Sequence, residues 1–185
     1  MSKNVLIISS SPRKGSNSET LAASFAKGAE EAGHKVETVY LREKNYGFCK
    51  GCLACLKVGH CVINDDAVEI ATKMHDADVL VFATPVYYYC VSGQLKTMLD
   101  RANPLFDSDY AFTKAYLLAT AAEDGEDQAQ LLGGELGGDV LGDLVHGDVV
   151  ALGAGHHGLG DGDDVSVMVE YPEDEYDTID KLKGI

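Results

Sequence analysis

Four cysteines, Cys49, Cys52, Cys55 and Cys61, stand in the spacing C-x2-C-x2-C-x5-C. A turn carries every third residue to one side, so three thiolates at this interval can wrap one metal centre. Bacterial iron–sulfur clusters use C-x2-C-x2-C with a further Cys near a Pro. Zinc also accepts four thiolates, although the spacing is tight for it. A second group is built from hydroxyls and one guanidinium: Ser9-Ser10-Ser11-Pro12-Arg13-Lys14-Gly15-Ser16-Asn17-Ser18. Ser16-x-x-Glu19 is a capping-box signature, and a loop that ends at a helix start turns unpaired N–H groups and a positive dipole end toward an anion. A third group is aromatic, Thr84-Pro85-Val86-Tyr87-Tyr88-Tyr89-Cys90-Val91-Ser92. Three consecutive Tyr behind a Pro suit a flat ring system; Cys90 among them reads as a small packing residue. The plainer alternatives are an ordinary capped turn for the hydroxyls and a subunit contact for at least one Tyr.

Each group needs an element to hold it. Val5-Leu6-Ile7-Ile8 is a short continuous apolar run, as in a parallel strand covered on both faces. Leu21, Ala22, Phe25 and Ala29 give one apolar face of a helix that Gly33 stops. Lys35 to Leu41 alternates like a half-exposed strand, and residues 42–64 read as an irregular cysteine-bearing loop. Asn64-Asp65-Asp66 caps a helix with Ala67, Val68, Ala71 and Met74 on its apolar side. Asp78 to Thr84 is a further apolar strand, Gly93 to Ala102 a helix, and Ala115 to Thr120 a fourth strand. Asp148 to Gly153 and Val165 to Val169 read as later strands, with Gly-interrupted helical spacing over 128–145 and a closing helix over 174–183.

Alternating strands and helices imply right-handed βαβ units and a three-layer α/β/α domain around a parallel sheet. One flavodoxin-like, doubly wound domain over 1–185 with strand order 2-1-3-4-5 is the expected architecture. In that order the ends of strands 1 and 3 are neighbours at the crevice where ligands bind. The hydroxyl loop and the tyrosine loop would then lie side by side, with Thr120 and Ala121 on the same rim. A phosphate and a conjugated ring held together point to flavin mononucleotide, FMN. Neither G-x-x-x-x-G-K-[ST] nor G-x-G-x-x-G follows the first strand, which argues against a triphosphate or a permanently held dinucleotide.

The hydroxyl run, Thr84 to Tyr89, Gln94-Leu95-Lys96 and Leu99-Asp100-Arg101 resemble the NADPH-dependent FMN reductase family over roughly residues 3–122. The resemblance implies that Ser9, Ser11, Arg13, Ser16, Asn17 and Ser18 bind the FMN phosphate. It implies that Thr84, Pro85, Val86, Tyr87, Tyr88 and Tyr89 contact the ring, with Thr120 and Ala121 closing the rim. It also implies a homodimer or homotetramer with the flavin near the subunit interface. The cysteine spacing is similar to that of the iron–sulfur flavoprotein branch, which implies a [4Fe–4S] cluster on Cys49, Cys52, Cys55 and Cys61. Cys-x-Gly-Cys-x-x-Cys also resembles loops of related reductases that carry redox thiols, and both readings stay open. The acidic, Gly-rich stretch 123–185 departs from the family pattern.

Residues 1–105 carry 11 acidic and 12 basic side chains, whereas 106–185 carry 19 and 3. An acidic body argues against nucleic acid as a partner. The absence of a long apolar run, with a strand starting close behind Met1, points to a cytoplasmic protein without a membrane partner. In that compartment five Cys are thiols, ligands or redox groups rather than structural disulfides. His156 and His157 beside Asp161, Asp163 and Asp164 read as a polar loop rather than a metal site. Lys96, Asp100 and Arg101 read as structural ion pairing. The expected activity is an FMN-dependent NAD(P)H oxidoreductase with a small-molecule or protein acceptor; no side-chain acid–base pair is expected, because the flavin carries the chemistry. The alternatives are an electron carrier between ferredoxin and FMN, and a flavin-free redox-sensing module.

Overall fold

Strand β1, Asn4–Ser9, pairs in parallel with β2, Lys35–Tyr40, on one side and with β3, Val79–Tyr87, on the other. The computed structural model describes residues 1–121, 148–155 and 166–170 of the chain. Beyond β3 the sheet continues in parallel through β5, Lys114–Ala121, and β6, Asp148–Gly155. The five parallel strands therefore run β2-β1-β3-β5-β6, the expected order. An antiparallel edge strand β7, Ser166–Glu170, is added beside β6. The expected helices over 128–145 and 174–183, and the His156–Asp164 loop, lie outside the described residues.

Alternation along the central strands sorts their side chains into two cores. Val5 and Ile7 of β1, Val79, Val81 and Ala83 of β3, and Tyr116 and Leu118 of β5 face helix α1, Asn17–Glu31, through its Ala22 and Ala29. Leu6, Ile8, Leu80, Phe82 and Leu117 face the other way. There they meet helices α3, Asp66–Asp76, and α4, Gly93–Arg101, through Ile70, Met74, Leu95 and Met98. Strands buried on both faces need apolar residues at every position, which is why their sequences read as unbroken runs.

Two segments differ from expectation. The stretch after Thr84 is not a loop: β3 runs on to Tyr87 and folds back as a hairpin onto β4, Cys90–Val91. Cys90 is exposed rather than packed, because the short strand turns Val91 inward and Cys90 outward. The cysteine segment also carries some regular structure, a 3-10 turn at Leu41–Glu43 and one helical turn α2, Cys55–Val58.

Candidate functional site

At the end of β1 the chain enters the hydroxyl loop, which closes at Ser16. The Ser16 Oγ accepts from the Glu19 N–H at 3.3 Å, as a capping box requires. The return arm is shifted by one residue: the Glu19 carboxylate takes the Gly15 N–H, at 2.6 Å, and Gly15 adopts φ +67°. The other carboxylate oxygen accepts from Arg42 at 3.1 Å, and the Arg42 guanidinium lies 4.4 Å above the Tyr40 ring. Pairing with Arg42 offsets the negative charge that Glu19 would otherwise bring to an anion-binding loop. Ser9, Ser11, Ser16 and Ser18 are buried, whereas Arg13 and Asn17 are exposed at the helix mouth. Ser11 and Arg13 close a local turn, with the Arg13 N–H donating to Ser11 Oγ at 3.2 Å.

One hydroxyl in this loop has no partner. Ser9 is fully buried and its Oγ makes no hydrogen bond. Alternation sets Ser9 on the α1 face, with Val5 and Ile7. A buried hydroxyl left unpaired costs about 1–3 kcal/mol, and a ligand oxygen held at the α1 N-terminus would relieve it. The residues present therefore fit an anionic group.

The strand register brings the second loop alongside. Ser9 pairs with Ala83 in β3, and Pro85 pairs with Thr120 in β5. Ser9, Thr84, Pro85, Thr120 and Ala121 thus occupy the carboxyl ends of three adjacent strands. A relay of hydroxyls fastens the two loops. Ser92 Oγ donates to Ser10 Oγ at 2.9 Å, and Ser10 Oγ donates to the Ala83 carbonyl at 3.2 Å. The Ser92 N–H donates to Thr84 Oγ1 at 3.1 Å, and Thr84 Oγ1 donates to the Pro85 carbonyl at 3.0 Å. Ser92 also caps α4, accepting from the Leu95 N–H. Ser10, Thr84 and Ser92 are fully buried.

Above the relay, the hairpin turn is made by Tyr88 and Tyr89, at φ 52° and 60°. Two central residues at positive φ suit a turn that normally uses Asn-Gly or Gly-Gly, and bulky residues rarely adopt such values. The rings meet edge to face at 6.3 Å, and Tyr88 is 97% exposed. Backbone strain combined with exposed apolar surface at one turn is a pattern of functional sites.

All four motif cysteines line one small pocket of about 30 Å³, together with Leu53, Val62, Ile63, Arg101, Asn103 and Pro104. Among the described residues, no three Cys, His, Asp or Glu stand close enough to hold a single ion. Four thiols around one space are a donor set that either zinc or an iron–sulfur cluster accepts. Cys49 and Cys52 are exposed, whereas Cys55 and Cys61 are half-buried. Leu53, Gly51 and Gly59 all take positive φ, which coils the segment round the pocket. Asn103 Nδ2 donates to Cys55 Sγ at 3.2 Å, and the Gly51 N–H donates to Cys49 Sγ at 3.4 Å. Donors to sulfur are the contacts that tune thiolate-held clusters.

This segment is tied down by Arg101, whose side chain is fully buried. Its Nη1 and Nη2 grip the Asp65 carboxylate, each at 2.7 Å, and also donate to the carbonyls of Gly47 at 2.8 Å and Ile63 at 3.0 Å. The Arg101 hydrogen bonds hold the Asp65 carboxyl below the usual range. Tyr46 donates to the Gln94 carbonyl at 2.9 Å, and burial pushes its phenol up to about 12.

The pattern of one known family, NADPH-dependent FMN reductase, matches residues 3–136, the stretch that carries both the hydroxyl loop and the tyrosine hairpin. The chain belongs to this family. Within it, an iron-sulfur flavoprotein of Methanosarcina thermophila is 39% identical over 104 residues, covering 56% of this chain and 54% of that protein. One from Archaeoglobus fulgidus is 38% identical over 94 residues, covering 51% and 43%. The chain thus spans about half the length of the curated relatives it matches. Among solved structures, an NAD(P)H:quinone oxidoreductase from Methanothermobacter marburgensis superposes with a TM-score of 0.72 at 26% identity, covering 89% of this chain and 88% of that one. No helix among the described residues is long and apolar enough to cross a membrane.

The hydroxyl run and the tyrosine run stand out in the sequence, but the contacts that hold them and the cysteine segment in place do not. Ser92 carried a signal, since a Ser before a helical run is a cap candidate. Ser10 sat unremarked inside the hydroxyl run. The Asp65–Arg101 pair bridges residues 36 positions apart and leaves no local pattern. The structural ion pairing expected of Lys96, Asp100 and Arg101 is present: Lys96 pairs with Asp100 along α4, and Arg101 pairs with Asp65.

Proposed function

We propose that this chain is an FMN-dependent NAD(P)H oxidoreductase that passes reducing equivalents to a small-molecule or protein acceptor. The observation that supports it is the fastening of the hydroxyl loop to the tyrosine hairpin through Ser10 and Ser92 at 2.9 Å. In this reading Ser9, Ser11, Arg13, Ser16, Asn17 and Ser18 hold the FMN phosphate. Thr84, Pro85, Val86, Tyr87, Tyr88 and Tyr89 line the ring, and Thr120 and Ala121 form the rim. When bound, the flavin supplies reversible hydride and electron chemistry. The α1 N-terminus and Arg13 offset the phosphate charge, the buried hydroxyl relay fixes the spacing between loops, and the tyrosines shield the ring from water.

A second reading, an iron–sulfur flavoprotein that carries electrons between ferredoxin and FMN, is favoured by the four thiols around one pocket. Cys49, Cys52, Cys55 and Cys61 would hold a [4Fe–4S] cluster, adding one-electron exchange. Exposed Phe48, Leu53, Leu56, Val62 and Tyr88 support assembly into a homo-oligomer through this end of the molecule. One experiment separates the readings. After anaerobic purification, the absorption spectrum with iron and sulfide assays reports both groups, and steady-state NAD(P)H oxidation reports turnover. Sustained turnover supports the oxidoreductase; bound FMN and iron with negligible turnover supports the carrier. Protein that takes up no FMN sinks both.

A further inference from the structure

A guanidinium has five N–H donors, and in Arg101 four of them are spoken for by Asp65, Gly47 and Ile63. The fifth, on Nε, is buried and has no well-aligned acceptor. Arg101 also lines the pocket that the four cysteines share, and the Cys61 thiol stands beside its guanidinium. A donor without a well-formed hydrogen bond on a charged, fully buried group is costly, and here it borders a pocket lined by four thiols, Cys61 closest at hand. We infer that Arg101 is a positioning residue for the group held by Cys49, Cys52, Cys55 and Cys61: its fork orders the loop, and its free Nε–H donates to a sulfur at that site. The inference rests on the reading that these thiolates hold an iron–sulfur cluster.

The chemistry has a definite sign. A cluster held there would gain negative charge on its sulfurs on one-electron reduction, so a donated N–H and the buried positive charge of Arg101 would favour its reduced form. Asp65 works in the opposite direction, because its carboxylate neutralises much of the guanidinium charge. The two partners of one ion pair should therefore shift the cluster potential in opposite directions when altered.

The test is a mediated redox titration of the anaerobically reconstituted protein, followed by the electron-spin signal of the reduced cluster. Iron, sulfide, FMN content and circular dichroism are measured on each sample. Arg101→Lys keeps a charge but cannot supply both the fork and Nε–H. It should weaken the reduced state at least tenfold, about 59 mV downward for one electron. Asp65→Asn keeps one oxygen for the helix cap and one arm of the fork, gives up the Gly47 contact, and removes the neutralising charge, so the potential should move upward. A purely structural role would give no pair of opposite shifts. The inference is overturned if iron-replete, folded Arg101→Lys titrates like the unaltered protein, or if both variants shift the same way. Should Arg101→Lys not fold, Asp65→Asn decides alone: an upward shift supports the inference, and an unchanged or lower potential overturns it. Unaltered protein that binds FMN but no iron would refute the cluster reading itself and this inference with it, a result distinguishable by the iron assay.

Discussion

Replacing the hairpin turn should separate stability from ligand binding. Tyr88 and Tyr89 both sit in the left-handed region, where a non-glycine residue costs about 1–2 kcal/mol. Tyr88→Asn with Tyr89→Gly installs the pair that a two-residue turn of this kind prefers. The gross relief is about 1–2 kcal/mol at the glycine and roughly half of that at Asn, whose short side chain tolerates this region. Against it stand roughly 0.5–1 kcal/mol for the greater freedom of an unfolded glycine and at most about 1 kcal/mol for the lost edge-to-face ring pair. The net expectation is a gain of about 1 kcal/mol, which for a chain of this size is a rise of roughly 2–4 °C in Tm. Urea unfolding of FMN-free protein is the assay, since bound flavin would add stability by mass action and hide the effect. Fluorescence titration with FMN then reports the other half: affinity should fall as the rings are removed. An unchanged or lower urea midpoint at equal m-value would refute the strain argument. Unchanged affinity would refute the placing of the tyrosines against the ring.

Three further outcomes are expected. Ser9→Ala removes a buried unpaired hydroxyl, so FMN-free protein should gain about 1 kcal/mol while FMN affinity drops; calorimetry with and without flavin reads both. Ser92→Ala breaks the link to Ser10 and the α4 cap, and should cost about 1–2 kcal/mol in urea unfolding with faster flavin release. Asp65 has its carboxyl lowered by Arg101, so its contribution is present above the ordinary carboxylate range near pH 4 and fades as pH falls through its folded value. The urea midpoint should decline through that acid range, and Asp65→Asn should flatten the decline.

Much of this could be read from residue order because the decisive features are local. Val5 to Ile8 and Val79 to Ala83 are apolar at each position, short and rich in β-branched residues, which reads as strands covered on both faces. The capping box at Ser16 fixed the start of α1 and, with it, the anion loop. The hairpin at Tyr88-Tyr89 was missed because turn chemistry predicts Gly or Asn there, and tyrosines gave no hint of a reversal. Cys90 was misjudged for the same reason, since without the hairpin its side of the strand could not be assigned. The Arg101–Asp65 pair and the Ser10–Ser92 contact depend on residues brought together only by the sheet register.

The ties on the cysteine segment carry a consequence for the order of assembly. Asp66 and Asp65 hold the Asn45 and Gly47 N–H groups, Tyr46 is pinned to Gln94, and Arg101 gathers the carbonyls of Gly47 and Ile63. These contacts divide one long loop into short closed spans before any sulfur is engaged, and the entropy of closing them is spent in folding. Small metal domains that are unfolded without their ion behave otherwise, because there the ion does the closing. Here an iron–sulfur group would be a late arrival to a segment whose backbone its own hydrogen bonds already close. Its loss should leave the fold standing, ready to be refilled.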